Sequence, residues 1–151
     1  MPAIGESLKQ FWSRHRIRLR RGASEVELRE FEDKYNVLLP DDLKDYFATV
    51  DGFDGSVSWM TDENAITFLP LAEVLPSSKT WALEVPDADS YFMFADFAVL
   101  CHVYMIRLGN DLSLGNSVFI ARDETPKQIA GSFSEFVRGY LANDYGVLFP
   151  Q

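Results

Sequence analysis

The chain has 151 residues, 47% hydrophobic and 14% aromatic with 12 Phe, a composition that excludes a disordered chain and predicts one globular domain. A domain of this length buries roughly 68–70% of the surface its unfolded chain exposes and needs no disulfide staple; its single cysteine, Cys101, excludes an intramolecular disulfide framework. The formal net charge of −9 opposes long-range attraction to nucleic acid or acidic membranes and favours basic partners. No apolar run approaches the roughly 18 residues of a spanning helix, and MPAIGESLKQFW lacks the charged-then-apolar order of a signal peptide, so the expected location is cytoplasmic.

In chain order, Ile4, Leu8, Phe11, Trp12 and His15 predict a first helix over residues 5–15. From Arg16 to Arg21 the arginines alternate with Ile17 and Leu19, a period of two that predicts an extended link or edge strand. The charge is uneven. Residues 1–22 carry six basic residues against Glu6, a net of +5, which leaves 8 basic and 22 acidic residues, a net of −14, for the rest. The basic head is expected to pack against the acidic body of its own chain. A phosphate contact through Phe11–Arg21 ranks well below that reading, so nucleic acid is not an expected partner.

Ser24 to Gly55 reads as two amphipathic helices. Ser24 and Glu27 have capping-box spacing, Leu28, Phe31 and Tyr35 share one face, Glu30 and Lys34 pair on the outer face, and Asn36 tolerates the left-handed end. Pro40 suits the first position of the next helix, and Asp41 and Asp42 fall in its first turn, where the helix dipole favours negative charge. Leu43, Tyr46, Phe47 and Val50 form its apolar stripe, and Gly52 is expected to take the left-handed stop.

Beyond Gly55 the pattern changes to strands. Val57–Met60 and Ile66–Leu69 are predicted as a pair, Leu71–Leu75 as a short helical turn stopped by Pro76, and residues 76–90 mainly as loop. Tyr91–Phe94 and Ala98–Leu108 are the richest strand candidates; Gly109–Gly115 makes a turn and Ser117–Ala121 returns. Ser132 and Glu135 repeat the capping-box spacing before the stripe of Phe133, Phe136, Val137, Tyr140 and Leu141. Clustered strands between helices, without βαβ alternation, predict an α+β fold: an antiparallel sheet with helices packed against it, in a single domain over 1–151.

Three pieces in order carry a family resemblance: the Glu-rich helix ending before Leu39-Pro40 with LKDYFATVDGFDG after it; FLPLAEV, Phe68–Val74; and the run from YFMFADFAVLCHVYMIRL through VFIA to IAGSFSEFVRGYL, Ile129–Leu141. The chain resembles the SUKH superfamily, in particular its Smi/Knr cell-wall-assembly-regulator branch. The resemblance covers residues 24–142, leaving 1–23 as an N-terminal helix and basic extension and 143–151 as a C-terminal tail. It implies helices against an antiparallel sheet and a non-enzymatic role. Many bacterial members look like immunity proteins that bind and neutralise toxins, whereas fungal relatives resemble scaffolds in cell-wall signalling.

The residues offer little chemistry. Cys101 and His102 are neighbours on a predicted strand, so they point to opposite faces and form no catalytic pair; the apolar surroundings predict a buried, inert thiol. Two His and one Cys give no zinc spacing. Asp51–Glu63, DGFDGSVSWMTDE, fails as a calcium loop because Phe53 and Gly55 stand where oxygen ligands are needed. Asp41-Asp42, Asp62-Glu63 and Asp87-x-Asp89 are carboxylate pairs of a kind that 23 acidic residues supply by chance. No phosphate-cradle glycine motif is present. Catalytic residues, metal ligands and cofactors are therefore all expected to be absent.

Residues 41–96 hold 12 acidic residues against Lys44 and Lys79, a net of −10. Asp51, Asp54, Asp62, Glu63, Asp87 and Asp89 are expected in turns and loops, where binding residues concentrate, with Trp59 and Trp81 nearby as aromatic anchors. Together with the resemblance, this predicts an acidic partner-binding face, Asp51, Asp54, Trp59, Asp62, Glu63, Asp87 and Asp89, that masks a basic toxin such as a nuclease by charge steering. A plain solvated acidic surface stays open beside it, as do an intracellular scaffold or regulator and, with least support, an enzyme. The oligomeric state stays open too.

Overall fold

A computed structural model describes residues 3–54 and 61–151 of the chain. The strand expected over Val57–Met60, and Trp59 with it, lies outside the described residues.

Helix α1 (Ile4–Arg14) leads through an exposed arginine-bearing link into β1 (Leu19–Arg21), followed by α2 (Glu25–Tyr35), α3 (Asp41–Thr49) and β2 (Val50–Phe53). Strands β3 (Ile66–Phe68), β4 (Leu75–Pro76), β5 (Tyr91–Phe97), β6 (His102–Arg107), β7 (Val118–Ala121) and β8 (Pro126–Ala130) come next, and α4 (Phe133–Leu141) and α5 (Tyr145–Leu148) close the chain. Every pairing is antiparallel. β1 pairs β2 as a small separate sheet, and the larger sheet runs β3-β5-β6-β7-β8. β3 and β4 lie end to end along the same side of β5: Ile66 faces Phe97, and Pro76 faces Phe92. The α+β architecture with helices on an antiparallel sheet is as the sequence predicts.

Both faces of the large sheet are covered. Phe92, Phe94, Tyr104, Ile106, Val118 and Ile120 share one core with Trp12, Phe31, Phe47, Phe133 and Phe136 of the helices. A bulge between Met93 and Ala95 makes Phe94 the extra residue and keeps both Phe94 and Ala95 on the helix side. On the opposite face Tyr91, Met93, Val103, Met105 and Ala121 are closed over by Leu83 and the half-buried Trp81. The indole N–H of Trp81 donates to the Asp123 carbonyl at 2.8 Å, so this ring seals a second core.

Local signals explain the helices. The capping box at Ser24 is complete: its hydroxyl accepts from Glu27 N at 3.1 Å and its own N–H donates to Glu27 Oε1 at 3.2 Å. Those hydrogen bonds hold the Glu27 carboxyl below its usual value. Asn36 ends α2 at φ +53°. At α4 the hydroxyl of Ser132 caps Glu135 N as expected, but the Glu135 carboxylate reaches one residue further back, to Gly131 N at 2.8 Å. Asp42 Oδ2 accepts both Ser134 N and Ser134 Oγ at 2.8 Å, tying the start of α3 to the start of α4. Helix α1 is integral to the core: Leu8 and Trp12 are fully buried, and Gly5 lies so close to α3 that a Cβ there would meet the Asp45 carbonyl at 2.7 Å.

Several expectations need correction. Pro40 flanks α3 in extended conformation instead of opening it, and the helix ends at Thr49, not Gly52. β-Branched Val50 instead pairs with Arg21. Gly52 is left-handed at φ +71°, but inside β2, where its backbone presses on Leu69 and Pro70. The expected strand Ala98–Leu108 starts only at His102; Ala98–Cys101 is the turn of the β5–β6 hairpin, and Cys101 is exposed, not buried. Strand β8 and helix α5 were not anticipated: PKQIA has no apolar alternation, and α5 is a single turn capped by Asp144, whose Oδ1 accepts Gly146 N at 2.9 Å.

Candidate partner-binding cleft

The acidic residues singled out in the sequence do not form one surface. Asp51 is buried: Oδ1 accepts Leu71 N at 2.6 Å, Oδ2 lies 3.9 Å from Arg20 Nε, and burial pushes its carboxyl up. The expectation of a loop-exposed Asp51 is therefore wrong. The same contact is one place where the basic head meets the acidic body. Asp54 follows β2 and donates its backbone N–H to the Arg18 carbonyl at 2.9 Å. Asp87 pairs with Arg107 Nη2 at 2.6 Å, and Asp89 accepts Ser78 N at 3.2 Å. Both precede the first residue of β5, whereas Asp62 and Glu63 precede β3 beside the far end of β5, where Ile66 faces Phe97. Seven residues of strand, on the order of 20 Å, separate the two pairs.

Asp62 and Glu63 line a cavity of about 190 Å³ together with Phe11, His15, Ile17, Asn64, Tyr140, Leu141 and Asn143. Four stretches of chain meet here: the end of α1, the link after it, the turn before β3 and the end of α4. The packing of α1 in the core brings Trp12 against Tyr140, and the indole N–H donates to the Tyr140 hydroxyl at 2.8 Å. That hydroxyl donates in turn to Asp62 Oδ2 at 2.5 Å. Asp62 Oδ1 accepts Asn64 N and Ile66 N at 2.8 and 2.9 Å, which fixes the turn. Burial, then the charge of Asp62, pushes the Tyr140 hydroxyl far above the usual phenol range, so it remains a donor.

The rim is polar. The side chain of Glu63 is 81% exposed, with Oε1 3.7 Å from His15 Nε2. His15 shares Nδ1 with the Phe11 carbonyl at 2.7 Å, and its ring lies 4.3 Å from that of Phe11. Asn64 Nδ2 donates to Asn143 Oδ1 at 2.7 Å. Among the described residues no group of three or more His, Cys, Asp or Glu is placed to hold a metal ion.

The β5–β6 turn stands at the same end of the sheet, bound through Ala98 N to the Ala65 carbonyl at 2.8 Å. Ala98, Val99 and Leu100 are all left-handed, at φ +49°, +55° and +69°. Such backbone is strained for any residue with a Cβ, most of all for β-branched Val99. In this turn Val99 and Leu100 are 59% and 46% exposed. Tyr145, 56% exposed, contacts Phe149, which packs edge-on against Phe97. His15, Tyr140, Asn64, Asn143, Val99 and Leu100 were not singled out from sequence as site residues. The Phe11–Leu141 lining comes from helix faces that read simply as core, and an apolar run without Gly, Asn or Asp carries no turn signal.

The fold is thus that of a small α+β domain that carries an acid-rimmed cleft near exposed apolar side chains. The model of the SMI1 / KNR4 family (SUKH-1) matches residues 22–139, and the chain belongs to this family. Comparison with curated proteins found no match. No helix among the described residues is long and apolar enough to cross a membrane.

Proposed function

We propose that this chain is a non-enzymatic protein-binding module, an immunity protein that neutralises a basic toxin, a nuclease being one such, by docking on the end of the sheet that carries the cleft. Family membership supports a protein-binding role of the immunity or regulator type. The observation that carries the choice of surface is the meeting of Asp62 and Glu63 with an aromatic-lined cavity beside exposed Val99 and Leu100. Interfaces draw affinity from buried apolar and aromatic anchors and draw on-rate and specificity from complementary charge. Asp87 and Asp89, at the other end of β5, contribute steering charge in this reading and no contact.

Co-purification from the native host tests it. A stoichiometric basic protein should be recovered whose toxicity the chain suppresses. Glu63→Lys with Leu100→Ser should abolish the complex, while Asp87→Lys should leave it intact. Recovery of no such partner, with a deletion phenotype in the absence of any competitor, would replace the immunity reading with the scaffold one.

A further inference from the structure

Resting on that reading of the cleft, we infer that the cavity is a subsite for a guanidinium group, filled in the complex by an arginine side chain of the partner. Its chemistry is ordered in the way such a side chain requires. Ile17 and Leu141 offer apolar wall for the methylene stem, which arginine packs along hydrocarbon while its head stays hydrogen-bonded. The rings of Phe11 and Tyr140, 5.7 Å apart at 71°, offer one face and one edge, and a planar cation stacks on an aromatic face.

Acceptors stand at two levels. Asp62 is fixed by three donors, Asn64 N, Ile66 N and the Tyr140 hydroxyl. A carboxylate has about four acceptor positions, so one remains. Glu63 is exposed and, among the described residues, lies 3.7 Å from His15, at the edge of an ion pair. Among the described residues the lining contains no Lys or Arg. The lining therefore carries, among the described residues, two carboxylates and no fixed cation, while exposed Arg14 at the end of α1 and exposed Arg16 and Arg18 in the link after it stand outside it. A guanidinium suits this place better than an ammonium: its donors are spread in a plane and reach separated acceptors at once, and it is less strongly hydrated.

The test uses the full chain and three small probes, N-acetyl-arginine amide, N-acetyl-citrulline amide and N-acetyl-lysine amide, followed by NMR at the side-chain amides of Asn64 and Asn143 and the rings of His15 and Tyr140. Arginine amide should give saturable shifts at these groups with a dissociation constant in the millimolar range, an ordinary value for so small a ligand. Citrulline amide, the neutral isostere, should give none, and lysine amide clearly weaker ones. Glu63→Gln, at an exposed position, should melt like the parent and weaken arginine binding about two- to fivefold, the value of one exposed ion pair. Shifts that do not saturate, that map elsewhere, that match between arginine and citrulline, or that are as strong for lysine would overturn the assignment. No arginine-amide binding by the parent chain, with the protein complex still lost in Glu63→Lys, overturns this subsite alone and leaves the binding reading standing. Intact arginine binding with no partner does the reverse.

Discussion

The hydroxyl of Tyr140 joins α1 to the turn before β3: it accepts the indole N–H of Trp12 and donates to Asp62 at 2.5 Å, across 78 residues of sequence. The core and the cleft are therefore one hydrogen-bonded system. Tyr140→Phe keeps the ring but leaves the fully buried Trp12 N–H without its acceptor. The expected loss is about 2 kcal/mol in urea unfolding, the cost of stranding a buried donor. A loss under about 0.5 kcal/mol would mean that water replaces the hydroxyl.

Gly52→Ala should be among the most damaging single-methyl additions in the chain. A Cβ there would lie 2.5 Å from the Leu69 carbonyl carbon and 2.6 Å from Pro70 N, at φ +71°. Both the clash and the left-handed strain oppose it, and a loss of at least ~2 kcal/mol in thermal or urea melts is expected.

Val99→Gly should act in the opposite direction. It relieves a β-branched residue at φ +55° in an exposed turn, and after the entropy cost of glycine a gain of about 0.5–1 kcal/mol is expected. The same substitution removes an outward apolar side chain, so the variant should melt later and bind its partner more weakly. Improved stability with unchanged affinity would take Val99 out of the interface.

Two pH effects of opposite sign follow from burial. Burial, helped by the charge of Arg122, holds the His102 imidazole below its ordinary 6.5, and its Nε2 has no partner among the described residues. A lowered histidine pKa favours the fold fully above the unfolded value. That contribution is lost as pH falls from 6.5 through the folded value. His102→Phe keeps the stack on Phe97, now 4.4 Å between rings, and should shrink the acid-side loss in melts across pH.

Asp51 runs the other way. Its carboxyl is raised from 3.8 by burial, so its contribution is fully present below 3.8 and lost as pH rises through the folded value. Asp51→Asn retains an acceptor for Leu71 N. The stability of the parent relative to this variant should therefore increase on acidification from neutral pH. A difference that stays constant with pH would show that Asp51 is not raised.

Helices α1 to α4 were readable in the sequence because each carries its own apolar stripe, and α2 and α4 also carry caps: Ser24 with Glu27, Asn36, and Ser132 at Glu135. The central strands were readable from their β-branched and aromatic density. What escaped was set by tertiary contact. AVLC reads as continuous strand because nothing local announces that Ala98–Leu100 turn left-handed; the pairing of Phe97 with His102 imposes it. Asp51-Gly52 has the composition of a surface turn, yet the approach of Leu69–Leu71 buries it. Of the candidate site, Asp62 and Glu63 were expected in a turn and lie in the one before β3, but their company was not legible, since His15, Tyr140 and Asn143 reach them only through the packing of α1 against α4. The expected single acidic face dissolved for the same reason: the length of β5 is invisible to a count of charges.

The two outer margins of the large sheet have a consequence for recognition. On one side β3 and β4 are short, separated by a 3-10 turn, and the second contains Pro76; on the other, β8 begins with Pro126 and exposed Lys127. Proline withholds a ladder donor, and lysine on an edge discourages a neighbouring chain. Among the described residues neither margin invites an added strand, so in the proposed complex the partner would be read by its side chains and not by main-chain zippering, and variants of the partner that preserve its backbone but alter its surface residues should escape.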